Sequence, residues 1–244
     1  KLMHFYIKTD ANENIGSGHL QRCLNLAEFL KNDHEITFLF CNTSSLIIKQ
    51  VKKNFKAIFF RDNKDLLSKI EKTLQKDEYN FLILDDYSTN YIWEKTIYNY
   101  FSKVLVIGDH LNKKHYCDLY LNQNVIDNKS QKILIKKFSN IKCLLGPKYA
   151  LLDKNYLKYA RKERIKIYLK NIVISFGGSD KENLTDKVLN ILSQRKFNKF
   201  KIKVAIGKNY QYFNNLSKKY KSNNRIIFYK GLNSLAKINH NSDL

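Results

Sequence analysis

A chain of 244 residues, 43% of them hydrophobic, can bury a substantial core and has the length of one large domain or two ordinary ones. Its formal charge of +22 is spread along the whole chain with no long basic block. Lysine is therefore read as filling solvated faces, and no nucleic-acid partner is expected. No uninterrupted apolar run reaches the length of about 18 residues that a membrane span needs, so no membrane span is expected.

The first ten residues, KLMHFYIKTD, lack the long apolar stretch of a secretory signal and read as a strand over 4–8. Lys rather than Met at position 1 leads us to expect an excerpt of a longer chain. Apolar, β-rich runs then recur as HFYI, EITFLF, AIFF, FLILDD, VLVIGD, DLYLN and CLLG. Helical periodicity falls between several of them, over 20–31, 44–53, 64–76 and 90–101. After GPKYALL, a charged helix is expected over about 153–168. A second alternation follows: NIVISFGG, helix 182–193, FKIKVAIG, helix 210–221, RIIFYKG and a short helix from 233. Continuous apolar strands alternating with helices predict an α/β protein with parallel sheets covered on both faces. The expected organisation is an amino-terminal domain over 1–152, a connecting helix over 153–170 and a carboxyl-terminal domain over 171–244. Three strands fall short of the five or six of a doubly wound domain, so the second domain is expected to be incomplete.

The stretch TDANENIGSGHLQRCLNLAEFL joins the first strand to the first helix. Leu20, Cys23, Leu24, Ala27 and Leu30 form one buried stripe on that helix. Gly16 and Gly18 permit backbone geometries that a β-carbon forbids and let a ligand approach closely. Unpaired amides at the helix start favour anions. The pattern is neither a dinucleotide fingerprint, since Gln21 stands where the third glycine belongs, nor a P-loop. His19 is the informative residue. The positive end of a helix disfavours imidazolium, and a neutral imidazole can accept a proton as a general base, or simply cap and pack.

Other polar groups gather at strand ends. Asp10 follows the first strand; Asp85, Asp86 and Tyr87 follow FLIL; Asp109 follows VLVIG. Ligands of open α/β sheets bind at these ends, although carboxylates there also cap the next helix. ISFGGSDKENLTD places Gly177, Gly178, Ser179 and Asp180 before a helix, either as a phosphate-holding junction or as an ordinary capped turn. Cys23, Cys41, Cys117 and Cys143 form no CxxC pair and read as buried free thiols of a reducing cytosol. His110, His115 and Cys117 fit no standard zinc spacing, so neither metal nor cofactor is expected.

The segments TDANENIGSGHLQRCLNLA, LILDDYS, GDHLNKKHYCDLYLNQN, LLGPKYALL and NIVISFGGSDKENLT, in this order, resemble one family. This is the UDP-2,4-diacetamido-2,4,6-trideoxy-β-L-altropyranose hydrolase family of pseudaminic acid biosynthesis, with its spore-coat-polysaccharide relatives. The resemblance runs the length of the chain, and its G-x-G-H-x-x-R loop and C-D-x-x-L-N-x-N segment are its most specific parts. It implies a GT-B arrangement, two Rossmann-like domains with a nucleotide-sugar in the cleft between them, and a cytoplasmic enzyme of surface-polysaccharide biosynthesis. It implies that His19 is the catalytic base and that Tyr87 lines the active site. Asp10, Gly16, Gly18, Arg22, Asp85 and Asp109 are the further expected substrate contacts, with Gly177, Gly178 and Ser179 facing the nucleotide. Gly108 departs from the family, which often has a second aspartate there. The implied reaction is hydrolysis of a UDP-sugar at C1. A GT-B glycosyltransferase acting on a sugar hydroxyl, pyrophosphate cleavage, and a non-catalytic RNA-binding or nucleotide-sugar-binding module are the alternatives.

Overall fold

The computed structural model describes residues 1–12, 16–74, 77–110, 112–160, 168–208 and 210–244. The chain divides into two units, Lys1–Leu152 and Asp153–Leu244.

The first unit alternates strand and helix as β1 (His4–Thr9), α1 (Gly18–Leu30), β2 (Glu35–Phe40), α2 (Ser45–Val51), β3 (Lys56–Phe59), α3 (Asn63–Thr73) and β4 (Asn80–Asp85). It continues with α4 (Tyr91–Tyr98), β5 (Lys103–Ile107), β6 (Leu119–Asn122), α5 (Asn128–Lys137) and β7 (Lys142–Leu145). All seven strands pair in parallel, in the order β3-β2-β1-β4-β5-β6-β7. A parallel sheet needs crossovers, and the helices that supply them cover both faces. β4 shows the consequence. Leu82 and Leu84 enter a core with Leu66, Ile97 and Leu134 from α3, α4 and α5. Ile83, between them, enters the opposite core with Leu20 and Ala27 of α1 and Val51 of α2. Each such side chain contributes about 1.5–3 kcal/mol through burial. Strand order reverses between β1 and β4, and their register sets Thr9 level with Asp85. The carboxyl ends on either side of that switch point therefore meet.

Helix starts are fixed by local chemistry. The Asp62 carboxylate accepts from the amides of Lys64 and Asp65 at α3, the Asn90 side chain from Trp93 at α4, and Asp127 from Ser130 at α5. α5 carries no counterpart among the sequence-based helices. Only Leu134 of its ten residues is buried, and lysines surround its short apolar centre, so its periodicity is weak. α3 ends at Thr73, and residues 75 and 76 of the helix expected over 64–76 lie outside the described residues.

The second unit contains α6 (Asn155–Tyr159), β8 (Asn171–Ile174), α7 (Leu184–Leu192), β9 (Lys201–Ile206), α8 (Phe213–Lys219), β10 (Ile226–Lys230) and α9 (Ala236–His240). Within the connecting helix expected over 153–168, α6 is the described helical part, and residues 161–167 lie outside the described residues. The sheet is parallel in the order β10-β9-β8, the same order as β3-β2-β1. Ile172, Ile174, Leu189, Ile202, Val204 and Leu216 fill its core. Asp243 and Leu244 hydrogen-bond along β8 through the backbone of Asn171 and Val173.

The four cysteines are free thiols, Cys23 and Cys117 buried as expected, Cys41 and Cys143 only partly so. Among the described residues no helix is long and apolar enough to cross a membrane.

Candidate active site

The carboxyl ends of β1, β4 and β5 deliver the first unit's polar residues to one place. Asn12 bridges to Gly16 across residues 13–15, which lie outside the described residues. Gly16 has φ +80°, a conformation that favours glycine. Among the described residues, a Cβ built on Gly18 meets nothing within 4 Å. Ser17 makes no side-chain cap, leaving the first amides of α1 uncapped by its own side chain.

His19 and Arg22 lie one helical turn apart on α1 and both reach the buried Asp85 at the end of β4. His19 Nδ1 stands 2.6 Å from Asp85 Oδ1. Arg22 holds the same carboxylate with Nε at 2.5 Å and Nη2 at 2.6 Å. Arg22 Nη2 also lies 3.1 Å from His19 Nδ1. A carboxylate accepts only, so the shorter contact assigns the Nδ1 hydrogen to the imidazole, and the guanidinium is directed at Asp85. That tautomer leaves the lone pair on Nε2, and a base of this kind needs its ring fixed by such a partner. Asp85 therefore orients the base from within the protein; its exposure is 1%.

Arg22 then reaches Asp109, with Nη1 to Oδ1 and Nη2 to Oδ2 both at 3.1 Å. Asp109 also accepts from the Tyr87 hydroxyl and from Asn124 Nδ2. Burial alone raises the Asp109 carboxyl, but the bonds from Arg22, Tyr87 and Asn124 outweigh it and hold the group below its ordinary value. Partial burial and the bond to Asp109 push the Tyr87 phenol up to about 12, so it remains a donor at neutral pH. The Tyr87 ring meets His19 edge to face, with centroids 4.5 Å apart, and His110 at 4.9 Å. His19, Arg22, Asp85, Tyr87 and Asp109 thus form one connected group.

Asp10 belongs to a second cluster beside it. Its Oδ1 accepts from the Cys41 and Asn42 amides and the Thr43 hydroxyl, and its Oδ2 from Lys8 Nζ at 2.7 Å. Both oxygens are occupied and the residue is 4% exposed, so it ties β1 to the chain after β2. Lys8, fully buried, also bonds Asp86 at 2.5 Å. Burial lowers its affinity for the proton, but the two carboxylates more than restore it, and the same ammonium holds Asp86 below its ordinary value despite burial.

Gly108 is explained by its neighbour. A Cβ there would stand 2.7 Å from Cε2 of the fully buried Tyr120, so an aspartate would require that ring to move. Further residues extend beyond the sequence reading. Lys113 Nζ donates to the Tyr87 and Thr89 carbonyls at 3.2 and 2.7 Å, fixing the loop that carries Tyr87. Lys8 had a visible signal, a charge at the end of an otherwise apolar strand, and Asn124 closes the C-D-x-x-L-N-x-N segment; Lys113 had none. His115 pairs with the buried Glu94 at 2.9 Å.

In the second unit, Gly177 has φ +75° and begins the turn through Gly178 and Ser179. Asp180 accepts from the Leu184 and Thr185 amides at 2.8 and 2.9 Å, so its carboxylate takes the helix-start amides that could have held a phosphate. The backbone of the glycine turn remains as the candidate anion contact.

No protein-family model matches the chain. An uncharacterized protein of Methanocaldococcus jannaschii is 34% identical over 254 aligned residues, covering 99% of this chain and 51% of that protein. The chain thus spans about half the length of that relative. The UDP-2,4-diacetamido-2,4,6-trideoxy-beta-L-altropyranose hydrolase of Campylobacter jejuni is 25% identical over 243 residues, covering 99% of this chain and 83% of the enzyme. Among solved structures, Acinetobacter baumannii MurG matches with TM-score 0.55 and 8% identity, covering 98% of this chain and 71% of that one. Anabaena HepE in complex with UDP-glucose matches with TM-score 0.52 and 8% identity, covering 97% and 71%. The fold is GT-B-like. At this identity the structural matches speak to the fold alone, and the sequence relationship to a UDP-sugar hydrolase is a distant one.

Proposed function

We propose that the chain hydrolyses a UDP-linked diacetamido-trideoxy sugar at C1, releasing the free sugar and UDP. The observation that carries this reading is the contact of His19 Nδ1 with the buried Asp85 at the β1/β4 switch point, which leaves Nε2 as the acceptor of a neutral ring. His19 Nε2 takes a proton from water, the water oxygen attacks C1, and the C1–O bond to the diphosphate breaks with inversion. Asp85, itself held by Arg22, keeps the imidazole in its working tautomer, and Tyr87, with Asp109, shapes the wall beside it. Gly177, Gly178 and Ser179 are the proposed nucleotide contacts, through backbone amides that suit a diphosphate. The distant relationship to the Campylobacter jejuni hydrolase supports this choice of substrate.

The test is turnover of a UDP-diacetamido sugar by the full chain and its His19→Asn variant, in water enriched in ¹⁸O. Turnover is expected to fall by roughly 10²–10⁴-fold, the scale of general-base removal, with UDP binding retained. The label is expected in the sugar; label in phosphate would mean pyrophosphate cleavage. Near-wild-type turnover in the variant would sink the assignment. The GT-B-like fold favours one other reading, a glycosyltransferase in which the same imidazole activates a sugar hydroxyl. UDP release that requires an added acceptor would establish it.

A further inference from the structure

A departing diphosphate needs hydrogen-bond donors or positive charge near its oxygens. Among the described residues, Arg22, Lys113 and His110 contact His19 or Tyr87, Lys8 lies in the neighbouring cluster, and all but His110 are already committed. Arg22 directs four of its five N–H donors at Asp85 and Asp109. Lys8 is fully buried between Asp10 and Asp86. Lys113 is spent on the carbonyls of Tyr87 and Thr89. His110 is the one left. It is exposed, it directly follows Asp109, and its ring lies 4.9 Å from that of Tyr87. Its position is braced from below, because the hydroxyl of the buried Tyr120 donates to the His110 carbonyl at 3.3 Å.

We infer that His110 is a catalytic residue, its imidazole N–H bonding the oxygen on which charge develops as the diphosphate leaves. The inference rests on the hydrolase reading and adds the leaving-group contact to it. Either tautomer of a neutral imidazole carries one N–H, so the role needs no particular protonation state. The two imidazoles flank one aromatic ring, a separation that admits two groups acting across one bond. His19 and His110 both pack on the Tyr87 ring, at 4.5 and 4.9 Å, and are therefore no farther apart than those separations combined. Inverting glycosidases place their two carboxyl groups about 6.5–9.5 Å apart, with water on one side of C1 and the leaving oxygen on the other. In the step itself, the water oxygen–C1 bond forms while the C1–O bond breaks. The electron pair stays on the phosphate oxygen beside His110, and the water proton goes to His19.

Three substitutions separate donation from packing. His110→Ala removes both the N–H and the ring. His110→Phe keeps a ring against Tyr87 without a donor. His110→Gln keeps an N–H without the ring. With a UDP-diacetamido sugar as substrate, kcat is expected to fall about 10²-fold in the Ala and Phe variants alike, the scale of losing one donor to a developing oxyanion. Gln is expected to recover a substantial part. The single tryptophan, Trp93, reports by its fluorescence that the first unit stays folded. Separately, addition of UDP is expected to shift the His110 ring resonances of the full chain in NMR spectra. Wild-type turnover in the Ala variant, full recovery by Phe, or His110 resonances unmoved by UDP would each overturn the inference and leave the His19 reading standing. A wild-type chain that releases no UDP would overturn both.

Discussion

The strand ends of the two units are built from different materials. In the first unit β1, β4 and β5 run into Asp10, Asp85 with Asp86, and Asp109, whose carboxylates are bonded by Lys8, Arg22 and His19. In the second unit β8, β9 and β10 run into Gly177 with Gly178, Gly207 and Gly231. Charged side chains can move protons and orient one another, which is what a reacting centre requires. Glycine turns expose backbone amides and allow close approach, which is what a neutral grip on an anion requires. The contrast teaches where each unit is vulnerable: the first to loss of a charge, the second to gain of a methyl group.

Lys8→Met should break the first unit most severely. It removes the ammonium from between Asp10 and Asp86 and leaves two buried carboxylates without their counter-charge. Breaking such a pair costs about 3–5 kcal/mol. Thermal unfolding followed by Trp93 fluorescence is expected to move sharply downward, and the double variant Lys8→Met/Asp86→Asn to regain part of the loss. An unshifted midpoint would mean that the buried triad is not what secures β1.

The corresponding test of the second unit is smaller. A Cβ on Gly207 would stand 2.0 Å from the Gly178 carbonyl oxygen, so Gly207→Ala must push the glycine turn aside. Overpacking of this kind costs about 1–3 kcal/mol. Calorimetry with UDP is expected to show roughly tenfold weaker binding, equivalent to about 1.4 kcal/mol, while the Trp93 transition is unchanged. Wild-type UDP affinity in this variant would remove Gly177 and Gly178 from the proposed nucleotide contacts.

The same contrast explains what could be read before the structure. Apolar strands and helical stripes carry their own periodicity, so the parallel α/β architecture was legible, and His19 stood out because a glycine loop announces a helix start. The network was not legible. Asp85 pairs with His19 across 66 positions and Arg22 with Asp109 across 87, separations that only the strand order closes. Asp10 and Asp85 look alike in sequence, each an aspartate at a strand end. Their difference lies in which donors the neighbouring loops bring: backbone amides and a lysine for Asp10, the imidazole and guanidinium for Asp85. The α5 helix was obscured by a lysine-rich composition that masks a weak apolar face.

Acid should expose the smallest of these differences. Asp86, Asp109 and Asp118 of the first unit are all held below the ordinary carboxylate value, each by donors that outweigh its burial. The unfolded chain therefore takes up these protons first as pH falls. The stability they contribute is present above the ordinary value of about 3.9 and is lost as pH drops through it toward the folded values. For Asp109, partly open to solvent, the contribution is on the order of 1 kcal/mol. Asp109→Asn should then unfold more easily than wild type at pH 7, as read by Trp93, and the two curves should converge as pH falls through the ordinary carboxylate value toward the lower folded one. Convergence would tie the effect to the ionised carboxylate that Arg22, Tyr87 and Asn124 share. A gap that persisted undiminished into acid would show instead that the shape of the side chain, not its charge, holds these three groups together.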